Sequence, residues 1–74
     1  MEGGGNMTDT VLLREKMDQS GYKLRFIAEK AGLTYQGLLN KLNNIREFKA
    51  SEIKALSDLL NLTEAERTAI FFSV

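Results

Sequence analysis

Two helical patterns in the middle of the chain are separated by only three residues, Gly32-Leu33-Thr34. In the first pattern, over about 23–31, apolar residues recur at i, i+3, i+4 and i+7 and therefore form one face of a helix. So short a connection has to turn sharply, and Gly32 is suited to the left-handed backbone that such a turn requires. This feature predicts an all-helical fold built around a tight helix–turn–helix unit.

The remainder of the chain carries three further helical patterns, and no segment alternates as a strand would. The first helix is expected to begin at a capping residue within 8–10 and to end at Gly21. After the helix at about 35–43, a fourth is expected over about 50–60, and a capping box at 63–66 begins a fifth. The expected fold class is all-α, a compact bundle of five short helices.

The composition limits the possible functions. The chain has 74 residues with no Cys and no His, so disulfides, Cys-ligated zinc and the commonest general base are excluded. The Gly-rich stretch 1–7 is typical of a flexible tail, which leaves 8–74 as one domain. No apolar run approaches the roughly 20 residues of a membrane span. We expect a cytoplasmic protein that is not an enzyme, with no cofactor, no small-molecule ligand and no membrane partner.

The charge of the chain is unevenly distributed. Six basic and two acidic residues lie between Lys23 and Lys49, a net charge of +4, and the neutral total leaves −4 for the remainder. A basic middle with acidic ends indicates one cationic face that could attract a polyanion. A chance fluctuation is the other interpretation, because steering depends on where charges lie in space.

The residues around the turn have the spacing of a DNA-binding helix-turn-helix. The small side chain of Ala28 would allow the second helix to lean on the third. Leu33 is expected to be buried directly after the turn, and Leu38 to face back toward the second helix. The positions that define this motif are Ile27, Ala28, Gly32, Leu33 and Leu38.

The stretch 27–34, IAEKAGLT, together with the later Lys41-Leu42-Asn43-Asn44, resembles the phage repressor and Cro-like, or Xre-type, helix-turn-helix domains, in particular their small phage-encoded branch. The resemblance covers about 13–62. It implies a lambda-repressor-like five-helix bundle with the helix-turn-helix at helices 2–3. It also implies a homodimeric, repressor-like transcriptional regulator that reads double-stranded operator DNA in the major groove.

The resemblance also implies which residues touch DNA. Base reading falls on the start of the third helix and on one residue a turn later: Tyr35, Gln36, Gly37 and Asn40. Side-chain amides suit this role because they donate and accept at once, as adenine requires. Phosphate contacts are expected from a surrounding set: Lys23, Arg25, Thr34, Lys41, Asn43, Asn44, Arg46 and Lys49. The alternative for all of them is an ordinary solvated helix face.

Three positions raise separate questions. The family often has Gln where this chain has Leu24, so the neighbouring Lys23 and Arg25 are expected to take over its phosphate contact. The family usually has an apolar residue where this chain has Lys41, which is expected to stay at the surface for phosphate. Gly37 costs about 0.5–1 kcal/mol in a helix relative to Ala. Its small size suits either close approach to DNA or close packing against a neighbouring helix.

The last five positions hold four large apolar residues. We expect Ile70 to face the core and Phe71, Phe72 and Val74 to form a dimer surface. In the alternative, both rings fold back over the first helix and complete the core. A rival function is a protein-interaction module of the same fold, such as an antitoxin or a repressor-binding partner with weak DNA affinity, which the zero net charge favours.

Overall fold

The computed structural model describes residues 8–72, and this part of the chain forms five α-helices and no strand. The helices are α1 (Thr10–Ser20), α2 (Leu24–Lys30), α3 (Tyr35–Leu42), α4 (Ala50–Leu59) and α5 (Glu64–Phe71). The all-helical prediction is confirmed, with each boundary within two residues of its expected place. The predicted tail 1–7 and Val74 of the predicted dimer surface lie outside the described residues.

Three helices begin at side-chain caps that the sequence supplies. The carboxylate of Asp9 accepts a hydrogen bond from the Leu12 amide at 3.0 Å, and the Thr34 hydroxyl accepts one from Gly37 at 2.9 Å. At α5 the capping box is complete, because Thr63 Oγ1 accepts from the Glu66 amide while Glu66 Oε1 accepts from the Thr63 amide. Each cap satisfies an amide that has no partner within its helix and contributes about 1 kcal/mol.

Each of the four connections between these helices contains one residue in the left-handed backbone region. Gly21 has φ 78° and Gly32 has φ 75°, whereas the later connections use Asn44 at 61° and Asn61 at 56°. A Cβ built on either glycine would meet no atom within 4 Å. The glycines are therefore required by the backbone conformation and not by a lack of space.

The core draws apolar side chains from all five helices and from the loop before α4. Its buried members are Leu13, Met17, Ile27, Ala28, Leu38, Leu42, Phe48, Leu56, Ile70 and Phe71. The partly buried Leu33 packs against them from the turn between α2 and α3. Burial of Ile27, Ala28 and Leu38 agrees with the packing that their spacing predicts.

Phe71 belongs to the core, so the prediction that it forms part of an exposed dimer surface is wrong. Its ring meets the edge of Phe48 with centroids 5.6 Å apart and an interplanar angle of 76°. Only 6% of Phe71 is exposed, compared with 56% of Phe72. One ring thus completes the core and holds the loop before α4, and the next ring faces solvent.

The two ends of the described chain are joined by a backbone hydrogen bond and an ion pair. The Asp9 amide donates to the Ile70 carbonyl at 2.6 Å, and Lys16 of α1 forms an ion pair with Glu66 of α5. The hydrogen bond from Lys16, with that from the Thr63 amide, lowers the pKa of the Glu66 carboxyl. Among residues 8–72, no helix is long and apolar enough to cross a lipid bilayer.

Candidate nucleic-acid interface

The turn between α2 and α3 is fixed by backbone hydrogen bonds. The Leu33 amide donates to the Ala28 carbonyl at 2.8 Å, and the Gly32 amide donates to the Glu29 carbonyl at 3.1 Å. Together with the left-handed Gly32, this is a Schellman ending. Thr34 then caps α3 directly. The direction of α3 relative to α2 is thereby set within three residues.

The exposed face of α3 carries a pair of bonded side-chain amides. Nε2 of Gln36 donates to Oδ1 of Asn40 at 3.1 Å, one helical turn further on. Gln36 is exposed and Asn40 is half-buried. The bond holds both side chains in a defined position, while the Gln36 carbonyl and the Asn40 amino group keep further hydrogen-bonding capacity.

Arg25 connects α2 to the start of α3. The carbon of its guanidinium group lies 4.4 Å from the centroid of the Tyr35 ring, in a cation–π contact. Such a contact contributes about 0.5–1 kcal/mol at an exposed site. It also orients the planar guanidinium, whose N–H groups remain directed outward from its edge. A positioned cation therefore lies beside the residues that the sequence assigns to base reading.

Two more cations follow α3. Arg46 and Lys49 are exposed in the connection to α4, where Lys49 is the residue before the helix. The Ile45 amide donates to the Asn40 carbonyl at 2.8 Å and so closes the end of α3. Oδ1 of Asn43 accepts from the Arg14 guanidinium at 3.2 Å, which ties this connection to α1.

Lys41 is buried, so the prediction that it contacts phosphate is wrong. Only 6% of the residue is exposed, and its Nζ lies 2.5 Å from Oε1 of Glu52. The same carboxylate oxygen accepts from the Lys49 amide at 2.8 Å. The ammonium is thus paired inside the protein, and the ion pair joins the last turn of α3 to the first turn of α4. No local sequence pattern indicates that Glu52 pairs with Lys41, because the two residues lie eleven positions apart on different helices.

Gly37 is not in close contact with a neighbouring helix. A Cβ built there would stand 3.0 Å from Thr34 Oγ1 and 3.9 Å from Leu33 Cδ2, and neither atom belongs to another helix. The prediction of close helix packing at Gly37 is therefore not supported. The small residue leaves room for the capping hydroxyl of Thr34.

The structure connects some of the predicted residues in pairs. Gln36 contacts Asn40 within α3, and Arg25 of α2 contacts Tyr35 at the start of α3. Arg46 and Lys49 lie beyond the other end of α3.

Within residues 8–72 no three acidic side chains are grouped to hold a metal ion. No protein-family model, no curated protein and no solved structure matches the chain significantly.

Proposed function

We propose that the chain is a sequence-specific, double-stranded DNA-binding transcriptional regulator with a lambda-repressor-like helix-turn-helix. In this proposal α3 enters the major groove, and Gln36 and Asn40 contact base edges. The observation that carries it is the bonded amide pair on the exposed face of α3, together with Arg25 oriented on the ring of Tyr35 at the start of the same helix. A side-chain amide can donate a hydrogen bond to adenine N7 and accept one from adenine N6. This pattern of one acceptor and one donor distinguishes an A·T pair from the other base pairs in the major groove.

The dimensions of α3 support this role. Its eight residues give a length of about 12 Å at 1.5 Å per residue. A helix of about 10–12 Å diameter fits the major groove, which is about 12 Å wide. The Thr34 hydroxyl caps α3 and so stabilises its first turn, which contains the exposed Tyr35 and Gln36. In this proposal Tyr35 and Gln36, in that turn, approach the base edges first.

Exposed cations precede and follow α3 in the chain, and they support contacts with the DNA backbone in this proposal. Lys23 and Arg25 lie at the start of α2, and Arg46 and Lys49 lie after α3. These four residues, with Thr34, Asn43 and Asn44, are the proposed phosphate contacts. Lys41 is excluded because it is buried. Such contacts fix the register of a protein on the duplex without reading its sequence.

A second copy of the chain would double the length of DNA that is read. Phe72, which is more than half exposed at the end of α5, offers an apolar contact for this copy. Two α3 helices in a dimer would read half-sites about 34 Å apart. We therefore propose a homodimer on a palindromic operator.

Binding to a selected duplex should weaken steeply with salt. Each neutralised phosphate contributes about −0.9 to the slope of log affinity against log salt concentration, so four cations predict about −3 to −4 per subunit. The measurement is fluorescence anisotropy of a duplex enriched from random sequence, repeated across a salt series. Absence of any enriched duplex, or a flat slope, would contradict the DNA proposal and leave the protein-interaction module as the better function.

Gln36→Ala and Lys49→Ala should weaken DNA binding in different ways. Loss of a base contact costs about 1–3 kcal/mol on the operator and relaxes preference at one position. Loss of a phosphate contact weakens all sequences alike and reduces the salt slope by about 1. Quantitative selection with each variant separates the two effects. Lys54→Ala, which removes an exposed charge on α4, is the control and should change neither quantity. An unchanged base preference in Gln36→Ala would exclude Gln36 as a reader.

A further inference from the structure

Two aromatic rings lie side by side near the start of α2, Tyr22 in the turn before the helix and Phe26 within it. Tyr22 is 43% exposed and Phe26 is 39% exposed, and their centroids are 5.0 Å apart. They line an open groove of about 570 Å³, together with residues at the end of α1 and along α2. The amide pair of α3 does not line this groove, so the proposed base-reading surface does not account for these rings.

The two rings do not belong to the core of the bundle. Helix α2 supplies the core through Ile27 and Ala28, and Phe26 is not among the residues that pack against that core. The part of each ring that remains exposed is apolar surface that a partner could cover. Adjacent exposed rings are therefore typical of a surface that a partner covers.

The edge of the groove is positively charged. Lys23 and Arg25 line it, and the ammonium of Lys30 lies 5.3 Å from the Phe26 centroid. Glu29 is the single acidic residue among the lining side chains. An apolar floor bordered by three cations and one anion complements a ligand that combines an apolar group with negative charge.

The geometry favours a peptide over a nucleic-acid strand. The two rings are inclined at 41°, and Lys30 lies over Phe26, so neither arrangement offers the free parallel platform on which bases stack. A peptide brings backbone N–H groups that can donate hydrogen bonds to the Glu29 carboxylate, whereas a phosphodiester backbone brings no such donor.

We propose that the groove formed by Tyr22 and Phe26 binds an acidic segment of a partner protein. One aromatic or large aliphatic side chain of that segment packs against the two rings. Its flanking carboxylates pair with Lys23, Arg25 and Lys30. Lys23 and Arg25 are also proposed phosphate contacts, so the acidic segment and DNA would compete for these two cations, whereas Phe26 and Lys30 serve the groove alone.

The test is selection of random twelve-residue peptides displayed on phage against the full chain, followed by synthesis of the enriched sequence. We expect Asp or Glu on both sides of an aromatic or large aliphatic residue. Phe26→Ala should weaken the synthetic peptide at least about tenfold, because one buried anchor dominates such interfaces. Lys30→Glu, which keeps both rings, should also weaken it, and added salt should reduce the affinity of the wild-type chain.

Val11→Ala is the control, since it removes an exposed apolar side chain on α1 that has no role in either proposal and should leave the peptide affinity within about twofold. Thermal melting establishes that each variant is folded. Failure to enrich acidic sequences, or equal peptide binding by wild type, Phe26→Ala and Lys30→Glu, would overturn the proposal. Binding of single-stranded oligothymidylate that is lost in Phe26→Ala would also overturn it, in favour of a nucleic-acid strand. Duplex binding by Phe26→Ala tests the DNA proposal separately.

Discussion

Glu52→Gln is expected to lower the free energy of unfolding by about 3–5 kcal/mol. The substitution keeps the shape of the side chain but leaves the buried ammonium of Lys41 without a counter-charge, and breaking one partner of a buried pair has this order of cost. Marginal stability of about 5–15 kcal/mol makes this a large fraction of the total. Urea unfolding followed by circular dichroism measures the change.

The chain contains its own control for this substitution. Lys54 and Asp58 form an ion pair whose side chains are about three-quarters exposed, with Nζ and Oδ2 3.4 Å apart. Asp58→Asn makes the same carboxylate-to-amide change and should alter stability by less than about 0.5 kcal/mol. The double variant Lys41→Met/Glu52→Leu should restore most of the loss, because apolar side chains replace a buried pair without desolvating charges. Equal stability of Glu52→Gln and Asp58→Asn would show that Lys41 is not held in the core.

Phe71→Ala and Phe72→Ala should differ by several kcal/mol although the residues are neighbours. Phe71 is buried against Phe48, so its truncation leaves a cavity and should cost about 3–5 kcal/mol. Phe72 is mostly exposed, and its truncation should change the stability of the monomer by less than about 1 kcal/mol. Chemical denaturation at low protein concentration measures both values.

The same two variants test the proposed homodimer. Sedimentation should show a dimer for the full chain and a shift toward monomer for Phe72→Ala, with weaker operator binding. A wild-type chain that stays monomeric at high concentration would contradict the dimer. A loss of stability in Phe72→Ala as large as that in Phe71→Ala would place its ring in the core instead.

Local signals predicted the fold class well, because each helix boundary is determined by nearby residues. Gly32 and the Thr34 cap define the central turn. Asn61, two residues after the end of α4, has the left-handed backbone that its residue type indicates. Lys41 was mistaken for a surface residue because its partner Glu52 lies eleven residues away, beyond the reach of periodicity. Phe71 was mistaken for the same reason, since the ring that covers it comes from a distant loop.

The candidate site was predictable in part. Gln36 and Asn40 are four residues apart on one helix, so their contact follows from helical geometry. The contact of Arg25 with Tyr35 joins two helices and depends on their relative placement, which the sequence pattern does not define. Tyr22 and Phe26 are also four residues apart, but Tyr22 precedes α2, and the exposure of the two rings depends on what the remaining helices cover.

The left-handed residue in every connection suggests how distant relatives of this chain can be recognised. Apolar core residues exchange freely for one another, so a search on them loses its signal as sequences diverge. A backbone with positive φ accepts almost only Gly or Asn, because a Cβ makes other residues costly there. We expect homologues to retain Gly or Asn at the positions of Gly21, Gly32, Asn44 and Asn61, even where the helices between them share few identical residues.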